Sequence, residues 1–317
     1  MRAVAVREFG AVPELLEVRE PEVRPGEIKV RLHVAGVNPF DWKIGDGLLK
    51  ERPHVFPLVL GVDGAGVVSE LGPNVSRFHI GDRVCGQFLH DPVGIGTLAD
   101  YATVPEAAGI AMIPTGVGFA EAAAVPTAGM TALEAIEFLA PAPGRSLLVV
   151  GASGGVGSFA VQIAVGRGAH VIGTARGSGV DRLRRFGVTE IVDSAGGDPV
   201  GEVRSRYPEG VDMLLDLGSD RPTFARFAET VRHGGAAATT VYVADPEALG
   251  RRGVRGRNID LQPRSDLLER LLAEVASGRL LVPIESEVPL PEAPRALAAS
   301  RARTLIGKTV VRIRPDP

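Results

Sequence analysis

Cysteine is almost absent from this chain of 317 residues, where Cys85 stands alone. One thiol excludes an internal disulfide and a four-cysteine structural metal site, and it fits a reducing, cytoplasmic setting. Cys85 itself reads as a small core residue. Aromatic residues are also scarce, at 5%, with Trp42 the single tryptophan. Neither sign of charge is in excess: 35 basic against 38 acidic residues leave a net −3. That balance gives no electrostatic reason to expect nucleic acid or an anionic membrane as partner. No apolar run approaches the length of a membrane span, because glycine, proline or charge interrupts each one. The opening MRAVAVREFG has no apolar h-region, so no signal peptide is expected. His33, His54, His79, His90, His170 and His233 share no spacing that suggests a metal site.

Glycine, by contrast, is plentiful at 40 residues, and it is dispersed, marking turns between many short elements. The first third reads as strands, at Met1–Arg7, Glu27–Val34 and Leu58–Leu71, with a turn at Gly81–Val84 leading into another. A short helix is expected near Phe40–Lys50. From Ala120 the character changes, with helices at Ala120–Val125 and Met130–Leu139 interrupted at Pro126. Strands at Ser146–Val150, His170–Thr174, Glu190–Asp193, Val211–Asp216 and Gly235–Val241 then alternate with helices, the pattern of a doubly wound parallel sheet. An amphipathic helix at Asp266–Ser277, a short helix at Ala293–Ser300 and a strand at Lys308–Ile313 close the chain. The expected fold class is α/β, with a discontinuous β-rich domain and an inserted domain at its middle.

The segment LLVVGASGGVGSFAVQIAVGRGAHVIGTAR, residues 147–176, is the most specific local signal. A strand, a glycine-rich turn, a helix and a second strand in that order read as a dinucleotide site. The turn Gly151-Ala152-Ser153-Gly154-Gly155-Val156-Gly157 is expected to hold a pyrophosphate at the helix N-terminus. An acidic residue about 20 positions on usually holds the ribose 2′-OH of NAD. Here the second strand ends in Thr174-Ala175-Arg176, and a guanidinium favours a 2′-phosphate, so NADP(H) is the expected cofactor. Ser178 and Arg182 are candidates to assist Arg176.

Several ordered motifs extend this reading along the whole chain: AGVNPFDWKIGDG (35–47), LGVDGAGVVSELG (60–72), GDRVCG (81–86), GTLADYATVP (96–105), AAAVPTAGMTALEAI (122–136), GASGGVG (151–157) and GKTVVRI (307–313). Together they resemble the medium-chain dehydrogenase/reductase superfamily, in its zinc-free quinone oxidoreductase (zeta-crystallin-like) branch. The resemblance implies a GroES-like catalytic domain (1–118 and 264–317), a Rossmann cofactor domain (119–263), an active site in the cleft joining them, and a homodimer. Zinc-dependent relatives place cysteine where this sequence has Asn38, and a histidine-glutamate pair where it has Val62-Asp63. No catalytic zinc is therefore expected.

Without a Lewis acid, acceptors that take hydride readily remain: quinones and α,β-unsaturated carbonyls. Asn38 is the first candidate to meet nicotinamide or a substrate carbonyl, and Tyr242, after a strand's carboxyl edge, is the second. Trp42 is a candidate for the substrate mouth. Thr127 resembles the residue that contacts nicotinamide, and Thr174 and Asp216 are further cofactor candidates. Asp41 and Asp63 match positions that support the metal ligands of zinc-dependent relatives, so structural hydrogen bonding is expected of them. No tyrosine begins a Tyr-x-x-x-Lys run, so the proton is expected from water. The expectation is an NADPH-dependent reductase of quinones or enones. An enoyl thioester reductase, or a non-catalytic NADP(H)-binding sensor or structural protein, are the alternatives.

Overall fold

The computed structural model describes residues 1–315 of the chain. Two units emerge from it, residues 1–130 with 263–317, and residues 131–262. The first unit begins with β1 (Arg2–Val6), β2 (Glu14–Glu17), β3 (Glu27–Gly36), α1 (Pro39–Gly45), β4 (Leu58–Val59) and β5 (Asp63–Leu71). It continues with β6 (Arg83–Gln87), β7 (Tyr101–Pro105), β8 (Ile110–Met112), α2 (Phe119–Ala124) and the start of α3 (Pro126–Leu139). The second unit alternates β9 (Ser146–Val150), α4 (Gly155–Gly166), β10 (His170–Ala175), α5 (Gly179–Arg185), β11 (Glu190–Asp193), α6 (Pro199–Arg206) and β12 (Val211–Asp216). α7 (Arg221–Ala228), β13 (Val231–Thr239), α8 (Pro246–Arg251) and β14 (Arg255–Asn258) complete it. The chain then returns to the first unit with α9 (Ser265–Ala276), β15 (Ile284–Pro289), α10 (Ala293–Arg301) and β16 (Lys308–Arg312). No helix among the described residues is long and apolar enough to cross a membrane.

In the first unit, β2-β1-β4 form a small sheet, and β15-β16-β3-β5-β6-β8, with β7 on β3, form a larger one. Its apolar core runs from Val4 to Ile313, so residues from both ends of the chain bury one another. The second unit is a parallel sheet in the order β11-β10-β9-β12-β13-β14, and its order reverses beside β9. Ligands of such sheets bind outside the strand ends at that reversal. There β9 delivers the glycine turn.

Two sequence expectations need correction, and one strand was not expected. The boundary expected at 118/119 falls at 130/131, because α2 packs on β3 and β5 of the first unit. The approach is close: a Cβ on Gly36 would lie 2.3 Å from the Ala123 carbonyl oxygen. Pro126 does not delay the next helix to Met130 but starts it, since proline in a first turn sacrifices no helical hydrogen bond. Finally, β14, with the sequence RGRN, carries no apolar alternation and is held as an edge strand by β13 alone.

The turn after β9 has two steric requirements. Gly151 has φ +80°, which an L side chain resists. A Cβ on Gly157 would lie 2.3 Å from the Gly151 oxygen and 2.6 Å from that of Ala152. Gly157→Ala should therefore destabilise the protein by about 1–3 kcal/mol, the usual cost of overpacking. Thermal unfolding followed by circular dichroism checks this, and an unchanged midpoint would count against the geometry.

Candidate active site

Adjacent strands bring five of the first unit's polar residues together. β16 runs beside β3, and Val37 N–H donates to the Thr309 oxygen, which sets Lys308 next to Asn38. Asp63 pairs with Gly36 on one side and with Gln87 on the other. Thr127, in the first turn of α3, completes the group. Asn38, Asp41, Asp63, Gln87 and Lys308 are all buried.

Lys308 Nζ donates to the Val37 oxygen (3.0 Å) and to Asn38 Oδ1 (2.8 Å). Asn38 Nδ2 in turn donates to Asp63 Oδ2 at 2.9 Å. Asp63 also receives the Thr127 hydroxyl (2.6 Å) and the Thr127 backbone N–H (3.0 Å). It therefore caps the first turn of α3 with a carboxylate, where the helix dipole favours one. Gln87 Nε2 donates to Thr127 Oγ1 at 2.8 Å. Asp41 accepts two backbone N–H groups, from Asn38 (2.7 Å) and Val62 (3.0 Å), and so ties the start of α1 to the loop before β5.

Two carboxyls thus share one ammonium in a buried place. Burial raises Asp63 above the ordinary aspartate range, against Lys308 and three donor groups, and every named partner of its oxygens is a donor. Asp41 has fewer donors and feels the charge of Asp63. Burial first, then that charge, pushes it up to about 7. Burial lowers Lys308, and the two aspartates oppose the shift.

The sequence candidates fare differently. Asn38 is 4% exposed and its amide is engaged at both ends, so it does not stand open to a substrate. Trp42 is half-buried on α1, which packs on α10, and the Arg301 guanidinium sits 5.4 Å from its ring centre. Tyr242 is exposed and has φ +59°, unusual for an aromatic residue. Its hydroxyl donates to Asp260, and burial with that carboxylate raises it to about 12. Gln87 and Lys308 were not legible as site residues: a lysine opening a strand reads as an ordinary solvated one. A separate small recess in this unit is lined by Ile44, Val59, Leu60, Val62, Phe88, His90 and Val93 among others, with no carboxylate or ammonium in its wall.

In the second unit the turn 151–157 is built for close approach. Ala152, which replaces the usual first glycine, is fully buried, and its Cβ fills space beside Gly173. Gly154 caps α4, whose first turn contains Gly155, Val156 and Gly157. Thr174 is buried and accepts the Gly151 N–H at 2.9 Å, so it shapes the turn. Arg182 is likewise buried and donates to the Ser153 oxygen at 3.2 Å, supporting the turn from behind instead of assisting Arg176. Arg176 and Ser178 are exposed. Asp216 Oδ1 receives Gly218 and Ser219 N–H, whereas its buried Oδ2 has no partner. The donor set around Asn38 and Asp63 does not suit zinc, because an ammonium occupies its centre and both Asp63 oxygens are taken.

The raised Asp41 group has a sign that can be checked. Its folded value lies above its unfolded one, so its contribution to stability is full below the ordinary aspartate range and is lost as pH rises through about 7. Urea unfolding of wild type and Asp41→Asn should show wild type losing stability relative to the variant from pH 5 to pH 8. Parallel pH profiles would refute it.

Known proteins agree with this architecture. Residues 24–134 match the alcohol dehydrogenase GroES-like domain, and 155–261 match the family described as zinc-binding dehydrogenase. A chloroplast envelope quinone oxidoreductase homolog of Arabidopsis thaliana is 31% identical, over 98% of each chain. An NADPH-dependent alkenal/one oxidoreductase of the same plant is 28% identical over 98% of this chain and 79% of its own. The solved quinone oxidoreductase from Coxiella burnetii superposes with a TM-score of 0.90 at 26% identity, covering 99% of each chain. The chain belongs to the medium-chain dehydrogenase/reductase superfamily, in its quinone oxidoreductase branch, and is an oxidoreductase that uses a nicotinamide cofactor.

Proposed function

We propose that the protein is a zinc-independent, NADPH-dependent reductase of quinones or α,β-unsaturated carbonyls. The observation that carries this reading is the Lys308 ammonium within hydrogen-bond distance of Asn38, at a position where zinc-dependent relatives hold metal. Without a Lewis acid, carbonyl reduction favours acceptors that are already electrophilic. The names of the relatives, one for quinones and one for alkenals and enones, support the same substrate classes.

Bound NADPH supplies the hydride. The turn 151–157 holds the pyrophosphate through backbone N–H groups and the α4 N-terminus, and Arg176 meets the 2′-phosphate. Arg176 is exposed, and its side chain has no hydrogen bond or ion pair among the described residues, so a phosphate costs it no existing partner. Thr127 meets the nicotinamide carboxamide. Asn38 and Asp63 hold Thr127 in place. The Tyr242 hydroxyl donates its hydrogen bond to Asp260, and the hydroquinone or enolate takes its proton from water.

Two experiments test the reading. Arg176→Ala should weaken NADPH binding roughly tenfold and leave NADH binding unchanged, as for loss of a charge-assisted pair. An unchanged NADPH dissociation constant removes Arg176 from the site. Metal-free protein, verified by elemental analysis, should oxidise NADPH with 1,4-benzoquinone, 9,10-phenanthrenequinone or 2-alkenals. Turnover confined to enoyl thioesters would favour the acyl reductase, and no turnover with any acceptor would sink both.

A further inference from the structure

A carboxylate and an ammonium leave the hydrogen bonds between them no choice of direction. Lys308 can only donate, so Asn38 turns Oδ1 toward it, at 2.8 Å. That orientation points Asn38 Nδ2 at Asp63, and the donated hydrogen with the nearby positive charge favours its carboxylate form against the burial that opposes it. An ionised Asp63 can only accept. The hydrogen between Thr127 Oγ1 and Asp63 Oδ1, 2.6 Å apart, must therefore belong to Thr127. Gln87 also presents its Nε2 hydrogen to the same hydroxyl oxygen, at 2.8 Å. Four side chains from β16, the start of α1, β5 and β6 thus commit the Thr127 hydrogen inward.

We propose that Lys308 is a positioning residue that makes the Thr127 hydroxyl an obligate hydrogen-bond acceptor toward bound ligand, so that it selects the N–H of a nicotinamide carboxamide. The inference rests on the proposed nicotinamide contact of Thr127 and adds its polarity and the origin of that polarity. A ligand carbonyl gains nothing at this oxygen, because no hydrogen is left to offer it. Removing the ammonium would release Asn38 to flip and Asp63 to protonate. Asp63 could then donate to Thr127, whose own hydrogen would become available to the ligand.

The test uses the whole protein and a binding readout. 3-Acetylpyridine adenine dinucleotide phosphate keeps the ring carbonyl of NADP⁺ but replaces the amide NH₂ with methyl. Calorimetric dissociation constants for the two should differ about tenfold in wild type, in favour of NADP⁺, the scale of one buried acceptor left unpaired. Thr127→Val and Lys308→Met should each cut that ratio by about threefold or more, whatever happens to either constant alone. A merely structural lysine would weaken both ligands together and leave the ratio as it was. An unchanged ratio in Thr127→Val, or in Lys308→Met that circular dichroism finds folded, overturns the proposal. If Lys308→Met does not fold, Asn38→Asp replaces it: a carboxylate there still receives Lys308 but cannot donate to Asp63, and the same fall in ratio is expected. If that variant fails as well, Thr127→Val decides. Failure of wild type to bind NADP⁺ at all would instead overturn the proposed function.

Discussion

The buried ammonium of Lys308 is the interaction on which the first unit's polar interior depends. Taking a lysine and two aspartates out of water costs several kcal/mol per ion unless each finds partners. Here the partners are found across four neighbouring strands and two helix starts. Lys308 closes the carbonyl of Val37, Asp41 closes the N–H groups of Asn38 and Val62, and Asp63 closes the first turn of α3. Each charge thereby satisfies backbone groups that strand ends and helix starts would otherwise leave open. The last strand of the chain is needed for this, which is why residues from both ends share one core.

The second unit solves a different problem, that of bringing backbone close to a charged ligand. It does so by subtraction. Gly157 has no room for a Cβ, and Gly173 has none because Leu183 and Ala152 fill the place. The alanine that departs from the usual glycine pattern is thus matched by a glycine on the next strand. Thr174 and Arg182, both charged or polar and both buried, brace the turn from behind through Gly151 and Ser153. Rigidity on that side leaves the outward N–H groups preorganised.

Much of this was legible in the chain itself. Alternating apolar strands and helices from residue 146 to 241 fixed the parallel sheet, because the two periodicities of 2 and 3.6 are local properties. The glycine turn was legible for the same reason. The roles of Asn38, Thr174 and Arg182 were not. Each is a polar residue beside a motif, and sequence proximity suggested a ligand contact where burial and a protein partner were found. Buried polar side chains find protein partners, and that pairing is a property of the fold and not of the local sequence. The edge strand Arg255–Asn258 escaped notice because one neighbour and two solvated faces impose no apolar alternation.

The sequence by itself determined the family, the order of the elements and the chemistry available, since these depend on residue type and short spacing. Only the tertiary structure decided which polar groups answer one another. Lys308 lies 270 residues from Asn38 along the chain, and strand register alone puts its ammonium 2.8 Å from the amide. The direction of a hydrogen bond follows from which partner carries charge, and that pairing is a property of the folded chain, not of any segment of it.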